Sequence, residues 1–197
     1  MTQPTLFADM ERMVINRRRF FTGAGHATLS AGAIALLTGC GSLARDAQAG
    51  EMTVADDIAI LNTALGAERE AIAAYQVGAE SGLLSKGVLG VAVQFQGHHK
   101  EHADVLAKTI GQLGGTADEP MAKYDFPTDT LKSEADVLRF AAGLEKGAVS
   151  AYLGAVPLFG NRDLSKAAAS ILGDEAMHWA VLRSALGEDP VPVAFVS

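Results

Sequence analysis

The chain has 197 residues and a formal net charge of −7, and almost half of its residues are apolar, with few aromatics and 21 glycines. That length suits one domain with a substantial core, and the scarcity of aromatics favours close-packed helices over a β-sandwich. Removing residues 1–40 takes away four Arg and two acids, leaving 12 basic against 21 acidic residues and a charge of −9, which excludes nucleic acid as an expected partner. The single cysteine, Cys40, excludes an internal disulfide.

Residues 1–40 read as an address. Asn16-Arg17-Arg18-Arg19-Phe20-Phe21 precedes a modest apolar run from Ala24 to Leu37 that contains no acid, which is the pattern of a signal peptide. The run is too short and too rich in Gly, Ser and Thr for a membrane span. The segment around Arg17, Arg18, Phe20 and Phe21 resembles a twin-arginine signal, which implies the twin-arginine export machinery as a partner and a body that folds before export. A basic N-terminal helix is the plainer alternative. Leu37-Thr38-Gly39-Cys40 resembles a bacterial lipobox, implying lipidation at Cys40 and attachment to the membrane in the periplasm or cell envelope. Ala47-Gln48-Ala49 before Gly50 is a competing cleavage site, although Arg45 and Asp46 separate it from the apolar run. Residues 41–52 form a tether of small and polar residues.

From residue 53 to 187 the period is helical and the expected architecture is all-α. The first helix spans about Asp56 to Glu80, with Thr53 and Asp56 spaced as a capping box. Ser81-Gly82 ends it. The second runs from about Ser85 to Leu113 and stops at Gly114-Gly115. A long connection with Pro120 and Pro127 follows. Ser133 with Asp136 opens a third helix that lasts to about Val156, and Pro157 with Phe159-Gly160-Asn161 turns the chain. The fourth covers about Arg162 to Leu186, and residues 188–197 with Pro190 and Pro192 are an extended tail.

The two halves repeat. Gly66 to Tyr75 lies over Gly143 to Tyr152, and Gly97-His98-His99-Lys100-Glu101-His102 lies over Gly173-Asp174-Glu175-Ala176-Met177-His178. Two hairpins with a long crossover between helices two and three give an antiparallel four-helix bundle with a pseudo-twofold axis.

Apolar residues at steps of three and four mark the inward stripe of each helix. The stripes are Leu61, Leu65, Ile72, Tyr75 and Ala79; Val88, Phe95, Leu106 and Leu113; Leu138, Ala141, Ala148, Tyr152 and Ala155; and Leu164, Ile171, Leu182 and Ala185. The same stripes contain Glu68, His99, His102, Glu145, Glu175 and His178. A lone buried carboxylate loses several kcal/mol of hydration, so six inward ionisable groups call for compensation, which a cation or pair of cations provides. Oxygen and imidazole donors suit iron, manganese or zinc, and the i, i+3 spacing points both members of a pair at one spot. A metal-free Glu–His network is the alternative.

Glu on helix one, a ligand pair on helix two, Glu on helix three and Glu-x-x-His on helix four resemble the ferritin-like superfamily of di-metal carboxylate proteins, which includes rubrerythrins and dimanganese catalases. The resemblance covers about residues 54–187. It implies two metal ions, with Glu68 and Glu145 as terminal ligands, one imidazole from each of His102 and His178, and Glu175 as a bridge. His99 departs from the pattern, because the family places Glu there. An oxidoreductase acting on oxygen or peroxide, or a metal binder in the envelope, is then the leading function; a non-catalytic bundle with a degenerate site is the rival. Glu101 falls on the solvent side, His98 and Asp174 read as surface residues beside the stripe, with contacts behind the ligands as the alternative, and Trp179 and Met177 read as packing. Tyr75 and Tyr152 read as core residues with hydroxyl partners.

Overall fold

The computed structural model describes residues 52–196. The export signal (Arg17, Arg18, Phe20 and Phe21), Cys40 and nearly all of the tether lie outside the described residues. Four long helices build the fold: α1 (Val54–Glu80), α2 (Lys86–Gln112), α3 (Glu134–Ala155) and α4 (Arg162–Ala185). No strand occurs among the described residues, and no described helix is long and apolar enough to cross a membrane.

The helix starts follow local chemistry. Thr53 accepts from the Asp56 amide while the Asp56 carboxylate accepts from the Thr53 amide, a complete capping box, and α1 begins at Val54, two residues before the sequence boundary. Ser133 caps α3 through the Asp136 amide, and Asn161 caps α4 through the Asp163 amide. Ser85 occupies the cap position of α2 without a side-chain bond. Gly82, Gly114 and Gly187 take positive φ just beyond α1, α2 and α4, where a Cβ would be strained.

The hairpins α1–α2 and α3–α4 pack internally, and the long connection, with a 3₁₀ turn at Thr128–Thr130, crosses between them. One apolar cluster, including Leu61, Leu65, Leu106, Ile110 and Ile171, fills one end of the bundle; a second, including Tyr75, Phe95, Leu138 and Leu182, fills the other. The ionisable residues sit between them. Asp57 is buried at the first end and accepts from the Gly160 and Asn161 amides, at 2.8 and 3.2 Å, tying α1 to the turn before α4.

Two expected packing positions are corrected. Met177 is 61% exposed, because it lies two residues from Glu175, about 200° round the helix. Ala185 is exposed at the end of α4, whereas Trp179 does pack against the second cluster.

Candidate metal centre

At mid-height, all four helices contribute to one buried polar cluster. α1 supplies Glu68, α2 His99 and His102, α3 Glu145, and α4 Glu175 and His178. Glu68, His99, Glu145, Glu175 and His178 are at most 2% exposed, and the His102 side chain is 14% exposed. Glu101 is exposed and takes no part.

The geometry is two overlapping sets. Glu68, His99, His102 and Glu175 each offer a ligand atom within 4.8 Å of one another, and so do His99, Glu145, Glu175 and His178. His99 and Glu175 belong to both. His99 spans the two outer glutamates, with Nδ1 2.8 Å from Glu68 Oε2 and Nε2 3.3 Å from Glu145 Oε1. Glu175 Oε1 faces His102 Nδ1 at 3.2 Å, and Glu175 Oε2 faces His178 Nδ1 at 3.8 Å.

The tyrosines cross the pseudo-twofold axis. Tyr152 donates to Glu68 Oε1 at 2.5 Å, and Tyr75 donates to Glu145 Oε1, so each hairpin's tyrosine holds the other hairpin's glutamate. Burial and then the adjacent carboxylate push both phenols well above their usual range, which keeps the hydroxyls protonated as donors.

Among the described residues, five buried side-chain atoms make no hydrogen bond: His102 Nδ1, His178 Nδ1, Glu145 Oε2 and both oxygens of Glu175. Buried polar atoms are normally satisfied, and here the orphans gather at one point. They are imidazole nitrogens and carboxylate oxygens, the donor set of a divalent ion of intermediate hardness. The residues fit bound metal.

The electrostatics of the metal-free cluster also balance. Burial opposes a charge on His99, but the carboxylates of Glu145 and Glu68 outweigh it and raise the ring to about 11. Against the same opposition, Glu175 and Glu68 raise His102 to about 9, and Glu145 and Glu175 raise His178 to about 9. Burial works to raise Glu68 and Glu145, yet the imidazoles (His102 and His99; His178 and His99) win and lower both.

These shifts predict how chelated protein responds to pH. The raised histidines stabilise the fold fully below their unfolded value of 6.5 and lose that contribution as pH rises through about 9 and then 11. The depressed glutamates stabilise it above 4.5 and lose that contribution as pH falls. Thermal melts of chelated protein should therefore peak between about pH 4.5 and 6.5 and decline by pH 9. A melting temperature still rising from pH 6.5 to 9 would contradict the charge balance.

For His98 and Asp174 the geometry favours the alternative, contact with the histidines of the cluster, over a plain surface position. Asp174 Oδ2 lies 3.4 Å from His102 Nε2 and 3.2 Å from His178 Nε2, and His98 Nδ1 is 2.8 Å from His178 Nε2. The signal was in the spacing: His98 and His102, like Asp174 and His178, are i, i+4 neighbours on one helix face. Phe95, from the apolar stripe of α2, stacks on His178 with ring centroids 4.0 Å apart.

A duplicated helical hairpin that gathers three glutamates and three histidines between four helices defines a carboxylate–histidine four-helix bundle. The family profile of the ferritin-like domain matches residues 56–188, and the chain belongs to that family. No curated protein matches the sequence. Among solved structures, the chain is similar to a conserved hypothetical protein from Mycobacterium tuberculosis, at 26% identity and a TM-score of 0.61 over 70% of this chain and 94% of that one. It is also similar to the dodecameric thioferritin, a bacterioferritin-related protein, of Bacteroides fragilis, at 25% identity and 0.60 over 70% and 88%. Ferritin-like diiron-carboxylate proteins from Bacillus anthracis share the fold, at 21% identity and 0.57 over 68% and 96%.

Proposed function

We propose that the chain is an exported, lipid-anchored ferritin-like protein that holds two iron or manganese ions and uses them on oxygen or peroxide. The observation that carries this reading is the pair of ligand sets sharing His99 and Glu175, with five orphaned atoms turned toward them. Glu68 and His102 would hold one ion, Glu145 and His178 the other, with Glu175 and His99 between them. When bound, such a pair supplies redox equivalents and open positions for an oxygen species. The chain's own residues do the rest. Tyr75 and Tyr152 orient the terminal glutamates, Asp174 holds His102 and His178 by their outer nitrogens, and the apolar clusters above and below exclude water. Zinc suits the same donors but has no redox role.

One observation favours the rival, a non-catalytic bundle. Glu68 and Glu145 already face imidazoles raised to about 9, 9 and 11, so the histidines offset buried negative charge without metal. Metal analysis of protein purified without chelator separates the two. Two equivalents of iron or manganese per chain, with peroxide or oxygen consumption lost on chelation, are expected; metal-free protein that cannot be loaded would establish the rival.

Export rests on Arg17, Arg18, Phe20 and Phe21, and anchoring on Cys40. Cys40→Ser should move the protein from the membrane to the soluble fraction with its helical circular dichroism unchanged. Fractionation identical to that of the unaltered protein would end the lipid-anchor reading.

A further inference from the structure

Three sides of the buried cluster differ in chemistry. Between α1 and α3 the wall is largely alanine: Ala64, Ala67, Ala71, Ala148 and Ala151 leave a gap of about 30 Å³ beside Glu68 and His99. That is room for a water molecule or two, not for a hydrated divalent cation. At the end of the bundle beyond Tyr75 lies a cavity of about 120 Å³, lined by apolar side chains such as Val88, Val137 and Leu182. An ion passing there would lose its hydration with nothing in return.

The third side, between α2 and α4, is built differently. His98 and Asp174 stand there with side chains 34% and 23% exposed, immediately outside His102 and His178. Asp174 Oδ2 is 3.2 Å from His98 Nδ1, and His98, Asp174 and His178 each offer a ligand atom within 4.8 Å of one another. The ring of His178 is shared. Its Nδ1 faces Glu145 and Glu175 in the buried cluster, and its Nε2 faces Asp174 and His98 outside. His102 is arranged alike, with Nδ1 toward Glu68 and Glu175 and Nε2 toward Asp174.

The geometry points to a third metal site on the α2–α4 face, where His98, Asp174 and Nε2 of His178 take a divalent cation from solvent and pass it inward. This site rests on the two-metal reading of the buried cluster. One carboxylate and two imidazoles replace part of the hydration shell while the ion still touches water, which divides the cost of desolvation into two steps. The negative net charge of the chain attracts cations in general, and Asp174 supplies the carboxylate at this face. Once the ion has moved to the Nδ1 side, Nε2–H of each ring donates back to Asp174, which fixes the tautomer that the buried ion requires. The outer site is thus a waypoint, filled before the inner pair and emptied into it.

Cobalt(II) added to the full-length protein is the probe, and Trp179, the only tryptophan and the neighbour of His178, is the fluorescent reporter. Stopped-flow mixing should show uptake about tenfold slower in His98→Ala, as expected when one ligand of the landing site is removed, with two equivalents still bound at equilibrium. His98→Asp should restore the rate by restoring a ligand. In Glu175→Gln, which removes the shared inner carboxylate, equilibrium titration should leave one equivalent of cobalt, and adding His98→Ala should abolish it. Unchanged uptake in His98→Ala with two equivalents bound would overturn the entry site and leave the two-metal reading standing. A wild-type protein that binds no cobalt would overturn both.

Discussion

Glu175→Gln is expected to strip both ions from the buried pair, whereas Glu68→Gln is expected to strip one. Glu175 turns Oε1 to His102 and, at 3.6 Å, to His99, and Oε2 to His178, and neither oxygen makes a hydrogen bond. It is the only carboxylate in both ligand sets. Glu68 belongs to one set and is already held by Tyr152. The two substitutions make the same chemical change, from carboxylate to amide, so they differ only in position. With the outer site removed by His98→Ala in both backgrounds, metal per chain after reconstitution and gel filtration should be near zero for Glu175→Gln and near one for Glu68→Gln. Equal loss in both variants would mean that the sets are not two positions but a single ion's shell. Tyr152→Phe, which leaves Glu68 in place but unoriented, should weaken binding by roughly tenfold to a hundredfold without changing the stoichiometry.

Much of this centre is legible in the sequence because it is a helical-wheel property. A helix turns through 3.6 residues, so Glu68, His99, Glu145, Glu175 and His178 share a face with leucines and tyrosines whatever the rest of the fold does. The near-constant repeat offset then requires the two hairpins to meet symmetrically. What the spacing does not carry is anything decided between helices. Asp57 is buried because two amides of the turn before α4, more than a hundred residues away, converge on it. Gln96 is buried beside the cluster because it donates to the Ile72 carbonyl and to Gln76 across the α1–α2 hairpin. Asp174 looks like a surface acid on its own helix and becomes a partner of two histidines only when α2 faces α4. Which tyrosine serves which glutamate is likewise invisible: Tyr75 lies two turns from Glu68 on α1 yet donates to Glu145 on α3. Met177 fails for the opposite reason, since the wheel places it outward and only its apolar character suggests packing.

His99→Glu is expected to make the folded protein dependent on metal. The imidazole of His99 is the link between Glu68 and Glu145, and Tyr75 lies against its ring with centroids 5.3 Å apart. With His99 raised to about 11 the ring is a buried cation at neutral pH, and its charge meets those of the surrounding glutamates. Replacement by Glu exchanges one positive charge for a negative one. Four carboxylates then face only His102 and His178 in a low-dielectric interior, where removing one partner of a buried pair costs about 3–5 kcal/mol. Chelated His99→Glu should melt about 10 °C or more below the chelated wild type, or fail to fold. Addition of iron(II) or manganese(II) should reverse the order, because the extra carboxylate offsets the repulsion between two ions and supplies a second bridge. The variant should hold two equivalents and gain more on loading than the wild type does. The measurement is a pair of thermal melts for each protein, with and without metal, at one pH. A variant that melts early and gains nothing from metal would show that residue 99 does not reach the ions, and that His99 serves only to neutralise Glu68 and Glu145.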